Sequence, residues 1–335
     1  MTQTRAASRR IPVRAPARVP VLATLLVALI AAVLTPGRAA AASLQEVTGF
    51  GTNPGALRMF RYVPDGLPAG RPVVVALHGC TQNASGYGTG SGWTQLADRW
   101  GFSVVLPQQQ TANNASSCFN WFQSGDIARG QGEAASVAQM VDRQLADVSG
   151  DASRVYVTGL SAGGGMTAVM MAAYPEKFAA GGIVAGLPYG CAQAAGSPYV
   201  CMYVGATQSP KQWGDRVRAA RPGYAGPWPT LVAFQGTADH TVKPVNMTDL
   251  MRQWTDVRGA DQVADVSDSV AGYPHQVFKD AGGRAVVETY SVTGMGHGQP
   301  VDPGSGSEQC GSAGAYLLDV GVCGAYRMGW AWGLG

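Results

Sequence analysis

Charge is what this sequence has least of: Asp, Glu, Lys and Arg make up 13% of its 335 residues, about half the usual share. No basic block and no interleaving of basic with aromatic residues occurs, so the footprint of a nucleic-acid binder is missing. There are only four histidines, and the cysteine spacings match no tight zinc pattern, so no metal site is expected. Dinucleotide and P-loop fingerprints are also lacking, and no cofactor is expected. No repeat or Pro/Ser/Thr-rich linker divides the chain. What abounds is small and uncharged, with 46 glycines among the residues, as suits a compact exported domain.

The first 42 residues stand apart. Arg5, Arg9, Arg10, Arg14 and Arg18 precede an apolar run from Val19 to Leu34, and Ala39 to Ala42 follow. Together these read as the basic region, hydrophobic region and small-residue cleavage site of a secretory signal. A membrane anchor fits less well, because Pro20 and Pro36 bound a run shorter than the usual span. Arg9-Arg10 hints at twin-arginine export, but the neighbouring residues match that signal poorly, and the route stays open. The segment holds six of the 24 basic residues and none of the 21 acidic ones, leaving 18 against 21, formally −3. Apparent basicity therefore belongs to the signal. Residues 43–335 suffice for one large α/β domain with its own core, secreted and without a stable membrane anchor.

All six cysteines lie in that part. An even count in an exported chain argues for disulfides, although six cysteines allow 15 pairings and the sequence does not choose among them. The pairs expected are Cys80 with Cys118, Cys191 with Cys201, and Cys310 with Cys323. The last two rest on proximity, since short loops close at least entropic cost.

The chain is organised around Arg154 to Ala173. Val155, Tyr156 and Val157 predict a strand, Met166 to Ala173 a helix, and Gly159-Leu160-Ser161-Ala162-Gly163 joins them. A serine on so sharp a turn takes strained backbone angles, and side chains two residues to either side would collide, hence the two glycines. The pattern resembles the nucleophile elbow G-x-S-x-G of α/β-hydrolases, which demands this strand–turn–helix context. An ordinary serine on a glycine-rich turn is the plain alternative.

Upstream, Arg58 to Val63 predicts an entry strand, and Val73 to Leu77 a strand buried on both faces of a parallel sheet. His78-Gly79-Cys80-Thr81-Gln82 follows it. In the fold that the elbow resembles, this loop supplies one backbone N–H of an oxyanion hole and the residue after the serine supplies the other. That makes Cys80 and Ala162 the expected donors. A helix over Trp93 to Trp100 and a strand from Phe102 to Leu106, ended by Pro107, come next. The loop Gln108 to Gly132 is too long for a routine connection. Its Cys118-Phe119-Asn120-Trp121-Phe122 would line an acyl or aromatic subsite, or else form a satellite hydrophobic cluster. Asp126, Arg129 and Glu133 are expected to make charge contacts around the start of a helix from Glu133 to Val148.

Beyond the elbow, strands are predicted at Ala179 to Ala185 and Thr230 to Phe234, with a cysteine-bearing excursion between them at Gly190 to Val204. The second strand delivers Asp239 into a loop, ahead of a helix from Asn246 to Val257. In hydrolases of this type the order is serine, acid, histidine, and Asp239 stands where the acid should. A turn aspartate bonded to local backbone is its alternative. The final strand, Ala285 to Val292, ends in Gly294-Met295-Gly296-His297-Gly298, which makes His297 the expected base. His275 is second; His240 adjoins Asp239 and His78 precedes the serine, so both fit worse.

With these residues assembled, the chain resembles the esterase family of poly(3-hydroxybutyrate) depolymerases and, close to it, secreted feruloyl and acetylxylan esterases. The matching segments are LHGCTQ at 77–82, CFNWF at 118–122, RGQGE at 129–133, VYVTGLSAGG at 155–164, FQGTADHTV at 234–242, GMGHG at 294–298 and YLLDVGVCGAYRMGWAWGL at the C-terminus. The resemblance implies an α/β-hydrolase fold with a mostly parallel central sheet and helices on both faces. It implies a serine esterase acting on an ester substrate through Ser161, Asp239 and His297, with Cys80 and Ala162 as oxyanion donors; a monomer is expected, although the sequence gives no account of oligomeric state. Two departures stand out. Related esterases often carry an aromatic residue shortly after the histidine, where Gln299-Pro300 stands here. Depolymerases of solid polyester commonly carry a linker and a polymer-binding domain, and the sequence shows neither. The expected substrate is thus soluble or amorphous polyester and short oligomers, or an acylated plant polysaccharide. An acyltransferase that excludes water, or a non-catalytic binding module, are further alternatives.

Overall fold

Val73 to Leu77 is apolar at every position, and the structure, a computed structural model, buries all five side chains. The structure describes residues 42–335 together with 2, 12, 13 and 15, so the signal-sequence expectation lies outside the described residues apart from those positions and Ala42. Successive side chains of a strand point to opposite faces. Val73, Val75 and Leu77 accordingly enter one core while Val74 and Ala76 enter the other.

The strands are β1 (Gln45–Val47), β2 (Arg58–Tyr62), β3 (Val73–Leu77), β4 (Ser103–Gln108), β5 (Val155–Leu160), β6 (Ala180–Val184), β7 (Thr230–Gly236), β8 (Val266–Val270), β9 (Tyr273–Lys279), β10 (Ala285–Val292), β11 (Gln299–Val301) and β12 (Leu317–Asp319). The first ten form one sheet in the order β1-β2-β4-β3-β5-β6-β7-β10-β9-β8. Its six central strands, from β4 to β10, are mutually parallel, and the flanking strands on both sides are antiparallel. Helices Gly132–Val148, Ala162–Ala173 and Val245–Arg258 cover one face. Helices Ala84–Gly90, Trp93–Trp100 and Gly324–Ala331 cover the other. This is the expected mostly parallel sheet between two helical layers. The C-terminus is fixed by Trp332, which stacks between Trp93 at 5.5 Å and Tyr156 at 5.0 Å.

Several local expectations need correction. β4 does not stop before Pro107: its pairing with parallel β3 ends at Val105, but antiparallel β2 continues to pair with it as far as Gln108. Proline is tolerated where a strand has lost a neighbour on one side. β10 is not the final strand, since β11 and β12 follow and pair in parallel as a small sheet of their own. The β8–β9 hairpin was not predicted; its exposed polar positions carry little apolar alternation, and its turn rests on Ala271 (φ 50°) and Gly272 (φ 83°). The excursion after Gly190 resolves into helices Cys191–Ala195 and Pro198–Val204, and an unpredicted helix, Pro210–Ala220, follows.

Disulfides join Cys80 to Cys118, Cys191 to Cys201 and Cys310 to Cys323. Among the described residues no helix is long and apolar enough to cross a membrane.

Candidate active site

Four loops meet at the carboxyl ends of the parallel strands, where ligands bind in open α/β sheets. β3 leads into Cys80, β5 into Ser161, β7 into Asp239 and β10 into His297.

Ser161 sits at φ 57°, ψ −119°, immediately before helix Ala162–Ala173. Its N–H donates to Val184 O at 2.9 Å, and its carbonyl accepts from Gly165 N at 2.9 Å. Such angles are costly for a residue with a side chain and persist only where the surroundings enforce them. Here the enforcement is steric. A β-carbon at Gly159 would lie 2.4 Å from the Gly163 carbonyl, and one at Gly163 would lie 2.2 Å from Leu77 O.

Asp239 is buried, and every approach to its carboxylate is occupied. Oδ1 accepts from Thr241 N at 2.8 Å and Val242 N at 2.9 Å; Oδ2 accepts from Gln235 Nε2 at 3.0 Å and lies 2.8 Å from His297 Nδ1. It is therefore both a loop aspartate bonded to local backbone and a partner of the imidazole. Gln235, missed in the sequence, also donates to Val242 O at 2.9 Å and so ties the acid to its own loop. The histidine loop is laid against the acid loop by Ala238 N to Met295 O and Thr237 N to Val292 O, both 3.0 Å. Gly236 permits this, since a β-carbon there would lie 2.2 Å from Met295 O. Of the two glycines beside His297, only Gly298 is in a crowded place, 2.8 Å from Leu318 by the same measure; Gly296 faces open space.

Ser161 and His297 line a common cavity of about 130 Å³ with Cys80, Gln82, Thr241 and Tyr316. A hydrogen bond from Ser161 Oγ to the imidazole is not formed among the described residues; such bonds are often long before substrate tightens them. A second cavity, about 320 Å³, also reaches Ser161 and is lined by Ala162, Trp121, Phe122, Leu187, Tyr199 and Val242 among others. Cys80, Ser161 and Met202 belong to both. The N–H groups of Cys80 and Ala162 donate to no protein acceptor among the described residues.

Cys80 is held from several directions. His78 is buried and packs against Phe119, the rings tilted at 45° with centroids 4.9 Å apart. Its Nε2 accepts from Gln109 N at 3.1 Å, which leaves the ring hydrogen on Nδ1 to donate to Gly79 O at 2.7 Å. Burial pushes this imidazole down to about 4, so it stays neutral. Thr81 N donates to Ser116 O at 2.7 Å beside the Cys80–Cys118 bridge.

The aromatic loop divides between its two expected roles. Phe119 is in the core, while Trp121 and Phe122 face the larger cavity. Trp121 lies so close over the elbow helix that a β-carbon at Gly165 would come within 2.7 Å of it. The expected charge cluster is rearranged: Arg129 pairs with Glu176 at 2.7 Å and covers the Tyr174 ring. Asp126 accepts from Glu133 N at 3.1 Å, as an acceptor at a helix start should. Glu133 itself turns inward, 1% exposed, and its carboxyl accepts from Asn120 N at 2.8 Å and from Gln109 Nε2.

The other histidines are elsewhere. His275, on β9 near the sheet edge, is bonded to Asp268 at 2.7 Å and stacked on Tyr290, and it lines neither cavity beside Ser161. His240 is exposed. The aromatic residue missing after His297 is supplied from further along the chain. Tyr316 stands 6.1 Å from the imidazole, edge to face. It is placed there because Gln299 N donates to Tyr316 O at 2.9 Å as β11 and β12 pair.

A family model described as Esterase PHB depolymerase matches residues 57–270. The chain belongs to this family. The match to the esterase PHB depolymerase family ends before His297. The chain is 52% identical over 302 residues to poly(3-hydroxyalkanoate) depolymerase C of Paucimonas lemoignei, covering 90% of this chain and 73% of that protein. Feruloyl esterase B of Neurospora crassa is 35% identical over 277 residues, covering 80% of this chain and 92% of that protein. Among solved structures, acetyl xylan esterase from Aspergillus awamori superimposes with a TM-score of 0.69 at 31% identity, covering 76% of this chain and 94% of that one. The α/β-hydrolase fold follows, and as a member of the esterase PHB depolymerase family the chain is a carboxylic ester hydrolase.

Proposed function

We propose that this protein is a secreted serine esterase that cleaves an aliphatic polyester of the poly(3-hydroxyalkanoate) kind, with Ser161 as nucleophile, His297 as base and Asp239 as the acid that orients it. The observation that carries the reading is the 2.8 Å contact between Asp239 Oδ2 and His297 Nδ1, with Ser161 on a strained turn across the same cavity. A carboxylate at Nδ1 fixes the tautomer whose Nε2 is free to accept a proton. Ser161 Oγ attacks the ester carbonyl as the imidazole takes its proton, and the carboxylate stabilises the imidazolium. The oxyanion is met by the Cys80 and Ala162 N–H groups, fixed dipoles aimed where charge develops. The imidazolium then protonates the leaving alcohol, and water repeats the cycle on the acyl-enzyme.

The two cavities divide the substrate. The leaving oxygen must receive its proton from the imidazole, so the alcohol side occupies the smaller cavity with His297 and Tyr316. The acyl side takes the larger, mainly apolar cavity with Trp121 and Phe122. Three disulfides and the N-terminal signal pattern support export.

A substrate panel on the mature protein tests the reading. Release of hydroxyalkanoate from polyester, in excess of ferulate or acetate from xylan, is the expected result. Dominant release of ferulate or acetate would replace polyester with acylated polysaccharide.

A further inference from the structure

The run Gln108-Gln109-Gln110, where β4 ends, lines a cavity of about 240 Å³ together with Gln82, Asn83 and Arg58 among others. Gln82 also lines the smaller cavity beside Ser161, so the two cavities meet at this side chain. It is held there from both ends: its Oε1 accepts from Gly79 N at 2.9 Å, and its Nε2 donates to Ala315 O at 3.3 Å, one residue before Tyr316.

The amide oxygens of this cavity are occupied within the protein. Asn83 Oδ1 accepts from Gly86 N at 2.8 Å and caps helix Ala84–Gly90; Gln108 Oε1 accepts from Ala84 N at 3.2 Å; Gln109 Oε1 accepts from Gln110 N at 2.9 Å. A backbone N–H can only donate, so each contact fixes the amide with its oxygen inward and its NH₂ group turned the other way. Among the described residues, Asn83 Nδ2 and Gln108 Nε2 donate to no protein acceptor. Arg58 is the one charged side chain in the lining, and Glu46 meets it through two contacts of 2.7 Å. The cavity thus offers hydrogen-bond donors without net charge, and its lining holds no aromatic ring.

We infer that this cavity is a subsite for the alcohol side of the polyester, in which Asn83 and Gln108 donate to the carbonyl of a hydroxyacyl unit beyond the scissile bond. The occupant follows from the donor inventory. A polyester repeat has oxygens that accept and no group that donates, which matches outward NH₂ groups in a neutral pocket. A sugar hydroxyl must also donate, and here the amide oxygens are taken by backbone N–H groups. The direction follows from Gln82: a chain whose leaving oxygen lies with His297 in the smaller cavity continues past this side chain into the larger polar one. The subsite rests on the polyester reading of the substrate and on the seating of the alcohol side.

The test is the double variant Asn83→Asp, Gln108→Glu, which keeps both oxygens bonded to backbone and removes both NH₂ groups. Asp caps a helix about as well as Asn. The substrates are butyryl esters of 3-hydroxybutyrate methyl ester and of its linear trimer methyl ester, with butyrate release as the readout. They share one acyl group, and the methyl caps leave no charge for the new carboxylates to repel. In the parent, kcat/KM should be at least about tenfold higher for the trimer ester, the worth of one or two neutral hydrogen bonds. The variant should lose most of that gain, with turnover of p-nitrophenyl butyrate within about twofold of the parent's and an unchanged unfolding midpoint. An equal gain in both proteins overturns the subsite, and so does a parent with no gain. A uniform loss on all esters overturns it as well, for then the two amides support only the Cys80 loop. A loss confined to acetylated xylo-oligosaccharides would make the occupant a sugar. Failure of the polyester reading shows separately, as a parent that hydrolyses p-nitrophenyl butyrate but neither hydroxybutyrate ester.

Discussion

Gly159 and Gly163 stand so close across the elbow that a β-carbon on the first would lie 2.4 Å from the carbonyl of the second. The strained serine between them is thus held by backbone on backbone, with no flexible side chain to give way. Gly163→Ala, whose methyl would meet Leu77 O at 2.2 Å, should lower stability by about 1–3 kcal/mol, the usual cost of overpacking. It should also lower kcat on a soluble ester. Denaturant unfolding and steady-state kinetics read the two effects, and a variant unchanged in both would contradict the steric account.

The bridge from Cys80 to Cys118 ties the loop after β3, whose Cys80 N–H is the proposed oxyanion donor, to the loop bearing Trp121 and Phe122. Cys118→Ser with Cys80→Ser should cost about 2–4 kcal/mol of stability. The backbone donor at position 80 survives but is less well fixed. kcat should fall by roughly tenfold, less than the hundredfold or more expected for outright loss of a donor, with KM little altered. A rise in KM with kcat intact would place the bridge in substrate binding instead.

Tyr316, 6.1 Å from His297, lines the smaller cavity proposed to take the alcohol side. Tyr316→Ala should raise KM for esters of bulky alcohols more than for methyl or ethyl esters of the same acid. It should leave the ranking of acyl chains unchanged, because the proposal seats those in the cavity of Trp121. An altered acyl ranking would reverse the two sides.

Burial pushes the Glu133 carboxyl up to about 8 from the ordinary 4.5, against the lowering effect of its hydrogen bond from Asn120 N–H. Between those values the folded protein holds a proton that the unfolded chain has released. Stability is therefore lost as pH rises from about 4.5 to about 8. Glu133→Gln removes the titration, so the fall in thermal midpoint over that window should be shallower in the variant. Equal slopes would show that the carboxyl is ionised throughout.

What could be read in the sequence was whatever short-range pattern dictates. The apolar run of β3 predicts a strand buried in a parallel sheet, local pattern marks β5, β6 and β7 as strands, and G-x-S-x-G between a strand and a helix predicts the elbow. The order serine, acid, histidine then points to Asp239 and His297, which the fold brings into contact. What could not be read depends on distant pairing. Tyr316 reaches the crevice only because β11 and β12 pair, and nothing near it in sequence says so. Gln235 reads as a plain loop residue after the strand Thr230 to Phe234 until the turn of the chain places Asp239 over it. The β8–β9 hairpin is too polar to stand out. Glu133 looks like a surface charge at a helix start, and only the folding back of the Gln109–Asn120 segment makes it a buried group.

The central claim is that Ser161 is the nucleophile of a unit completed by His297 and Asp239. Its most direct measurement is the turnover of a soluble p-nitrophenyl ester by Ser161→Ala, alongside thermal unfolding of the same preparation. The account predicts a loss of at least about 10⁴-fold in kcat, as for other enzymes of this design, with an unfolding midpoint close to the parent's. Turnover within a few-fold of the parent, in a folded variant, would contradict it.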